Sequence, residues 1–368
     1  MLGKRILVTG ATGFIGLNLV KSLISQGHRV SAMVRAKSSV SKTNELKRMG
    51  AVLVRADLQK KTSLARAVAN QQIIFNLAVV ARAVKLATFK EVNFDGFANL
   101  LESVIAERCD AKLVHISSLS AAGPSKLGMP NREEFAAAPI SNYGKSKLDA
   151  EKLAVQFSDR LNISIVRPPI VLGPHDFRGG QMFKLIQRWG IHVTPGNIAN
   201  EYSAIHVDDL CSALMAVAAN GKPVTPQDSV AGIYYAAADE IITYQKLGAM
   251  INLALGRQSL TSLPLPNPLL KLIGGLNTLV GKLNHQPRFF NFDKVRDVTA
   301  GSWSCENRKL KEETGFILPV TLAERIAQTV RWYCNSGWLK PISTLGTHRS
   351  PATSDIDHGS NSPTIGVN

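Results

Sequence analysis

Tyr143 and Lys147 stand four residues apart at the start of a stretch that continues with helical spacing through Leu148, Leu153 and Val155. Residues four apart on a helix share one face. A lone phenol titrates at about 10 and is a poor base at neutral pH. An ammonium beside it, or an oxidised nicotinamide, stabilises the phenolate and readies the pair to exchange a proton with a bound oxygen. The second constellation is Gly10-Ala11-Thr12-Gly13-Phe14-Ile15-Gly16, which follows the apolar run Ile6-Leu7-Val8 and opens a helical pattern. Gly10 permits a tight turn, Gly13 lets the backbone approach a pyrophosphate, and Gly16 lets the helix close on the sheet. The helix start offers free N–H groups and positive dipole to the phosphates. Strand, glycine turn and helix in this order predict a dinucleotide held by Gly10, Thr12, Gly13, Phe14, Ile15 and Gly16.

The second strand decides between two dinucleotides. NAD is usually held there by a carboxylate on the ribose hydroxyls, whereas an arginine accommodates the additional phosphate of NADP. This strand ends Met33-Val34-Arg35, has no Asp or Glu nearby, and is followed by Lys37. A guanidinium can hold a phosphate through two parallel hydrogen bonds. Arg35 therefore points to NADP(H), with NAD(H) as the alternative and an ordinary surface charge as the plainer reading of the residue.

These groups need a frame. Short apolar runs at Arg5–Val8, Val30–Val34, Ala51–Val54, Ile73–Leu77, Lys112–Ile116 and Ile163–Val166 alternate with helical patterns such as Phe97, Leu100, Leu101, Val104 and Ile105. Alternating strands and helices predict βαβ units and an α/β, doubly wound Rossmann fold with a parallel sheet. Ligands of such a fold sit beyond the carboxyl ends of the strands. The nucleotide domain is expected over 1–174, with 203–238 returning to it. A smaller, mostly helical substrate-binding region is expected over 175–202 and 239–340. From 341 onward Ser, Thr, Pro, Gly and Asn dominate, so 341–368 reads as a disordered tail.

With the preceding Thr9 the glycine turn reads TGATGFIG. Further along come Ala56-Asp57-Leu58, Asn76-Leu77-Ala78, Val92-Asn93 with Gly96, Ser117-Ser118, Tyr143-Gly-Lys-Ser-Lys147, Arg167-Pro168-Pro169 to Gly173-Pro174, and Ile205-His206-Val207-Asp208-Asp209-Leu210. In this order the motifs resemble the extended short-chain dehydrogenase/reductase family, also called the NAD-dependent epimerase/dehydratase family. The resemblance implies that Asp57 and Leu58 contact the adenine, Ala78 lines the cofactor channel, Ser117 lies beside the cofactor and Pro168 lies near the nicotinamide. It implies that Ser118 binds the reacting oxygen, with Ser120 as a stand-in, that Tyr143 exchanges the proton, and that Lys147 also anchors the nicotinamide ribose. His206, Asp208 and Asp209 are expected to be structural, and His175, Asp176, Phe177 and Arg178 to border the substrate.

Dehydratases of nucleotide sugars in this family carry an Asp-Glu pair after the catalytic hydroxyl residue; here Leu119 and Ser120 stand there. Its nucleotide-sugar epimerases commonly carry an Arg three residues before the Ile-His-Val segment, gripping the diphosphate; here that position is Tyr202. The branch of 3β-hydroxysteroid dehydrogenases and dihydroflavonol reductases fits better, and the closing Trp332-Tyr333 and Gly337-Trp338-Leu339 resemble its bacterial members. The expected reaction is alcohol–ketone interconversion on a mainly apolar small molecule by hydride transfer. A nucleotide-sugar epimerase and a non-catalytic NADP-binding sensor are the alternatives.

A net charge of +16 raises the question of nucleic acid. The lysines and arginines are scattered and lack interleaved aromatics or a nucleic-acid motif, so that class is set aside. An anionic ligand or a membrane surface remains as a partner, beside a plainly solvated basic surface. The apolar stretch 262–284 is broken by Pro264, Pro266, Pro268 and Lys271, too interrupted for a spanning helix. It is expected either to line or cap a substrate pocket or to make peripheral membrane contact. A homodimer is a further expectation. Cys109, Cys211, Cys305 and Cys334 have neither paired nor zinc spacing, and no cluster resembles a metal site. The opening residues run straight into a strand, so a cytoplasmic chain is expected.

Overall fold

The structure, a computed structural model, describes residues 3–195, 199–286, 288 and 290–341. Its strands are β1 (Arg5–Thr9), β2 (Arg29–Val34), β3 (Val52–Arg55), β4 (Ile73–Asn76), β5 (Lys112–Ile116), β6 (Ile163–Arg167), β7 (Ile170–Leu172), β8 (Ile191–Pro195), β9 (Glu201–His206), β10 (Ile233–Tyr235), β11 (Ile241–Thr243) and β12 (Thr261–Leu265). Seven of them form one sheet in the order β10-β6-β5-β4-β1-β2-β3, every neighbouring pair parallel. Parallel neighbours require crossovers, and the crossover helices cover both faces. That is why the central strands read as continuous apolar runs rather than alternating ones.

One face is covered by helices Phe14–Ser25 and Val207–Asn220, whose Leu17, Val20, Leu23, Leu210, Leu214 and Val217 are buried in one cluster. The other carries Gly96–Ala106 and Asn142–Gln156, with Phe97, Leu100, Leu101, Ala150 and Leu153 in a second cluster. The chain turns to opposite sides of the sheet from β1 and β4, which opens a crevice beyond their carboxyl ends. Register fixes what meets at that crevice. Thr9 pairs with Asn76, and Asn76 with His115, so the last turns of β1, β4 and β5 lie in one row.

After β6 the chain builds a second layer. β11, β9 and β7 form one small sheet and β12 pairs with β8 in another. Helices Gly180–Trp189, Tyr244–Ala254 and Leu322–Asn335 close a third core around Phe183, Ile186, Leu247, Ile251, Ile326 and Tyr333.

The stretch 262–284 folds as β12 and a helix, Asn267–Leu283. Its buried residues are Leu270, Gly274 and Gly281, with Gly274 against Val295 of helix Phe292–Thr299 and Gly281 against Gln286 and Arg288, while most of its leucines face solvent. The exposed leucines therefore do not line an internal pocket, because Gly274 and Gly281 occupy the face turned to the protein. Among the described residues no helix is long and apolar enough to cross a membrane, and no disulfide joins the cysteines. The tail expected over 341–368 lies outside the described residues apart from Pro341.

Candidate active site

The glycine turn leaves β1 at Gly10, whose φ of +64° favours a residue without Cβ. A Cβ there would also come within 2.8 Å of Ala78 N. Gly16 lies on the next turn of backbone, where a Cβ would fall on the Gly10 carbonyl and 2.8 Å from Ala11 Cα. Gly13 caps the Phe14–Ser25 helix with no side-chain acceptor, and no acidic residue stands in its first turn. The N–H groups of Phe14 and Ile15 thus stay open to an anion, which suits a pyrophosphate. Lys42, from helix Val40–Arg48, donates to the Thr12 carbonyl at 2.8 Å and holds the turn from outside.

Arg35 follows β2 with an exposed side chain, and its N–H donates to Ser38 Oγ at 2.9 Å. Asp57 ends the next strand connection; its Oδ1 accepts from Gln59 N, and its N–H donates to Ser63 Oγ. Leu58 is buried, and its carbonyl accepts from Asn99 Nδ2 at 2.8 Å. Ala78 donates its N–H to Thr9 Oγ1 at 3.1 Å. Asn93 accepts from Val80 N, donates to Val80 O, and donates to Ser146 on the Tyr143 helix, so the loop after β4 is tied to that helix. Arg35, Asp57, Ala78 and the glycine turn all emerge at the carboxyl end of the sheet, where the crevice opens.

Ser117 and Ser118 leave the end of β5. The Ser117 hydroxyl donates to the buried carboxylate of Glu151, which is paired in turn with Arg167 at 2.5 Å. Its side chain is therefore engaged beneath the site, in a contact that Glu151 and Arg167 impose. Ser118 caps the short helix Leu119–Ala122, accepting from Ser120 N at 3.1 Å. The Leu119 N–H donates to the Pro168 carbonyl at 2.9 Å, fixing this turn to the connection after β6. Ser120 thus enters through its backbone, as the group that orients Ser118.

Helix Asn142–Gln156 begins at Ser141, whose Oγ accepts from Gly144 N. Gly144 has a packing reason. A Cβ there would collide with the Ser120 carbonyl, so the helix can approach the Ser118 turn only with glycine beside Tyr143. The carboxylate of Asp293 accepts from Asn142 N at 2.8 Å and from Tyr143 N at 3.2 Å. Burial pushes the Tyr143 phenol up to about 12; a hydrogen bond with Ser118 opposes this, and Asp297 adds to it.

Lys147 is fully buried, donates to the Ile116 carbonyl at 2.6 Å and lies 3.2 Å from His115 Nε2. Burial lowers it to about 7 against the opposing pull of Glu151. Lys147 turns into the sheet, where its head is held by the Ile116 carbonyl, and burial is the largest influence on the Tyr143 phenol.

Sequence reasoning missed His115, Lys42, Glu151 and Asp293. His115 is fully buried between Phe97, on which its ring stacks at 4.1 Å, and the polar row of strand ends. A histidine inside an otherwise apolar strand was the available signal. His206 accepts from Asp208 N as the cap of helix Val207–Asn220, and Asp209 holds Arg325 at 2.5 Å. His175 and Phe177 pack on Trp332, and His175 Nε2 lies 3.7 Å from Glu45 on the helix that also carries Lys42.

Residues 6–232 match the NAD dependent epimerase/dehydratase family, and the chain belongs to it. It is an NAD(P)-dependent oxidoreductase of the extended short-chain dehydrogenase/reductase type, acting on CH–OH and keto groups. Ceramide reductase of Caulobacter vibrioides is 26% identical over 334 residues, which cover 91% of this chain and 96% of that protein. UDP-glucose 4-epimerase of Vibrio cholerae is 26% identical over 340 residues, 89% and 95% of the two chains. Among solved structures, the dTDP-glucose 4,6-dehydratase of Bacillus anthracis in complex with NAD superposes with a TM-score of 0.72 at 20% identity. That superposition covers 93% of this chain and 100% of the other.

Proposed function

We propose that the chain is an NADP-dependent reductase that interconverts an alcohol and a ketone or aldehyde on a mainly apolar, steroid-, flavonoid- or lipid-like molecule. The observation that carries this reading is the apolar packing beside Ser118. Leu119 packs with Tyr202, Tyr235, Trp303 and Cys305 in one buried cluster, flanked by Ile170 and Tyr244. Tyr202 stands where the epimerases of the family carry their diphosphate-gripping arginine, and its ring packs on Tyr244 at 5.6 Å. A diphosphate would meet rings here rather than a guanidinium fork. The two curated relatives, one named for a lipid and one for a nucleotide sugar, are equally similar, so these residues and not identity favour the apolar substrate.

Bound in the crevice, the nicotinamide supplies or accepts the hydride. Ser118 and Tyr143 would hold the carbonyl oxygen, and Tyr143, protonated at neutral pH, would donate its phenolic proton as that oxygen becomes a hydroxyl. Lys147, lowered by burial to about 7, would take part in returning the proton. Arg35, with Ser38 at its own N–H, would take the additional phosphate of NADP. The expected homodimer would use the groove between 86–94 and the outer face of helix Asn142–Gln156, where Leu86 stands exposed.

The reading is tested by a panel of ketones and UDP-sugars followed at the NADPH absorbance. Consumption of NADPH with apolar ketones is expected, with Tyr143→Phe slowing turnover roughly 10²–10⁴-fold while cofactor affinity holds. Interconversion of a UDP-sugar without net cofactor change would assign the epimerase instead. Full activity of Tyr143→Phe would remove the proton-transfer role.

A further inference from the structure

Helix Asn267–Leu283 is built the wrong way round for an ordinary surface helix, which turns its apolar face inward. Leu269, Leu272, Leu276, Leu279 and Leu283 recur at helical spacing and face solvent; Leu276 and Leu279 are each 56% exposed and Leu283 71%. The inward face is made of Leu270, Gly274 and Gly281. A Cβ on Gly274 would collide with Val295, so close packing on helix Phe292–Thr299 demands the small residue there. With 3.6 residues per turn the solvent-facing leucines and Val280 span an arc of about 100°. Lys271 and Lys282 are exposed on the arc's flank.

Along the segment that carries this arc the charge is of one sign. No Asp or Glu occurs between Glu240 and Asp293, whereas Lys246, Arg257, Lys271, Lys282 and Arg288 do. We propose that the leucine face of helix Asn267–Leu283 is a docking surface for an anionic lipid bilayer, on which the helix lies flat. The leucines would enter the boundary between headgroups and acyl chains, while the lysine stems reach back to the phosphates. A second copy of the chain fits the same face poorly. Its own copy of this segment would bring further lysines and no carboxylate, on a molecule of net charge +16.

The placement has a consequence for access to the crevice. Thr278 Oγ1 accepts from Phe292 N at 2.8 Å, and the next residue, Asp293, holds the N–H groups of Asn142 and Tyr143. One helix therefore separates the docked surface from the start of the Tyr143 helix, and an apolar substrate dissolved in the bilayer would be presented close to the site.

The test uses the full chain with vesicles of phosphatidylcholine alone and of phosphatidylcholine with phosphatidylglycerol. Flotation with the anionic vesicles is expected, weakening in high salt and on the neutral ones. Leu276→Glu with Leu279→Glu should lower binding about 10-fold or more, with the thermal melt unchanged because both side chains already face solvent. Lys271→Gln with Lys282→Gln should reduce the preference for anionic over neutral vesicles by about 10-fold or more. Failure of the unmodified chain to float with anionic vesicles, or equal flotation of the leucine variant, overturns the proposal. So does a dimer in solution that the leucine variant dissociates, which would assign the face to a second copy. None of these readings requires turnover, so their failure leaves the proposed reaction untouched.

Discussion

Lys147 Nζ lies 3.2 Å from His115 Nε2, and the hydrogen bonds behind that histidine decide what it offers. Thr9 Oγ1 accepts from the N–H groups of Leu77 and Ala78, so its own proton goes to Asn76 Oδ1 at 2.7 Å. Asn76 then presents its amide N–H to His115 Nδ1 at 3.0 Å. With Nδ1 accepting, the proton of the neutral imidazole resides on Nε2 and faces Lys147. An N–H donor suits an amine and opposes an ammonium. Burial acts in the same direction on Lys147 and also keeps His115 neutral. The register of β1, β4 and β5 thus reaches the helix Asn142–Gln156 through one oriented row.

This lysine should be visible in the pH dependence of stability. Below about 7 it is charged in the folded and unfolded chains alike. Between about 7 and its ordinary value of 10.5 it is charged only when unfolded, so the unfolded chain binds the additional proton there. Stability should therefore rise with pH across that window, by up to about 1.4 kcal/mol per unit. Lys112, lowered by burial to about 8, acts in the same direction but begins higher. Urea unfolding of the cofactor-free protein between pH 7 and 8 should show the rise, and Lys147→Met should flatten it. An unchanged slope would mean that Lys147 is not held near neutrality.

His115→Phe tests the oriented row. The ring stacking on Phe97 is retained in kind, while the N–H facing Lys147 is lost and Asn76 loses its acceptor. Stability should fall by about 1–3 kcal/mol, the cost of a buried unpaired amide. The limb of the turnover pH profile set by Lys147 should move to higher pH, because the donor favouring the neutral amine has gone. A drop in melting temperature with an unmoved pH profile would reduce His115 to packing.

Much of the frame was legible because its signals are local. β-branched runs bounded by turns place β1 to β6, and the glycine turn specifies its own geometry within seven residues. Tyr143 and Lys147 share a helix, so spacing alone puts them together. What spacing cannot give is depth: Lys147 turns into the sheet, and the phenol is set by burial and Asp297 instead. His115 acquires its meaning from three strands in register, and Asp293 reaches the helix start from 150 residues away. The direction of the Leu269–Leu283 stripe was equally hidden, since an apolar stripe reads the same whether it faces a core or solvent.

Arg35→Glu places a carboxylate where the proposed phosphate contact lies, removing a charge-assisted pair and adding repulsion. Affinity for NADPH should fall about 10–100-fold, and that for NADH should hold or improve. Titration of both cofactors by fluorescence measures the ratio. Equal losses for both, or none, would take Arg35 out of cofactor selection. Lys42→Met offers the contrast: it frees the Thr12 carbonyl, loosens the turn itself, and should weaken both cofactors together.

Asp293 carries the last expectation because it joins two parts of the chain that sequence spacing keeps apart. Its carboxylate meets the first N–H groups of the Tyr143 helix, where free donors and helix dipole both favour an anion. Asp293→Ala should cost about 1–2 kcal/mol in stability. Loss of the cap also frees the backbone that aims the phenol at Ser118. Reactive geometry tolerates little misplacement, so kcat should fall roughly 10–100-fold. The cofactor Kd should stay put, because the glycine turn lies on other elements. Asp293→Asn keeps one acceptor oxygen and should recover part of the loss. A melting shift without a change in kcat, or an Asn variant no better than Ala, would show that Asp293 serves only to anchor its own helix.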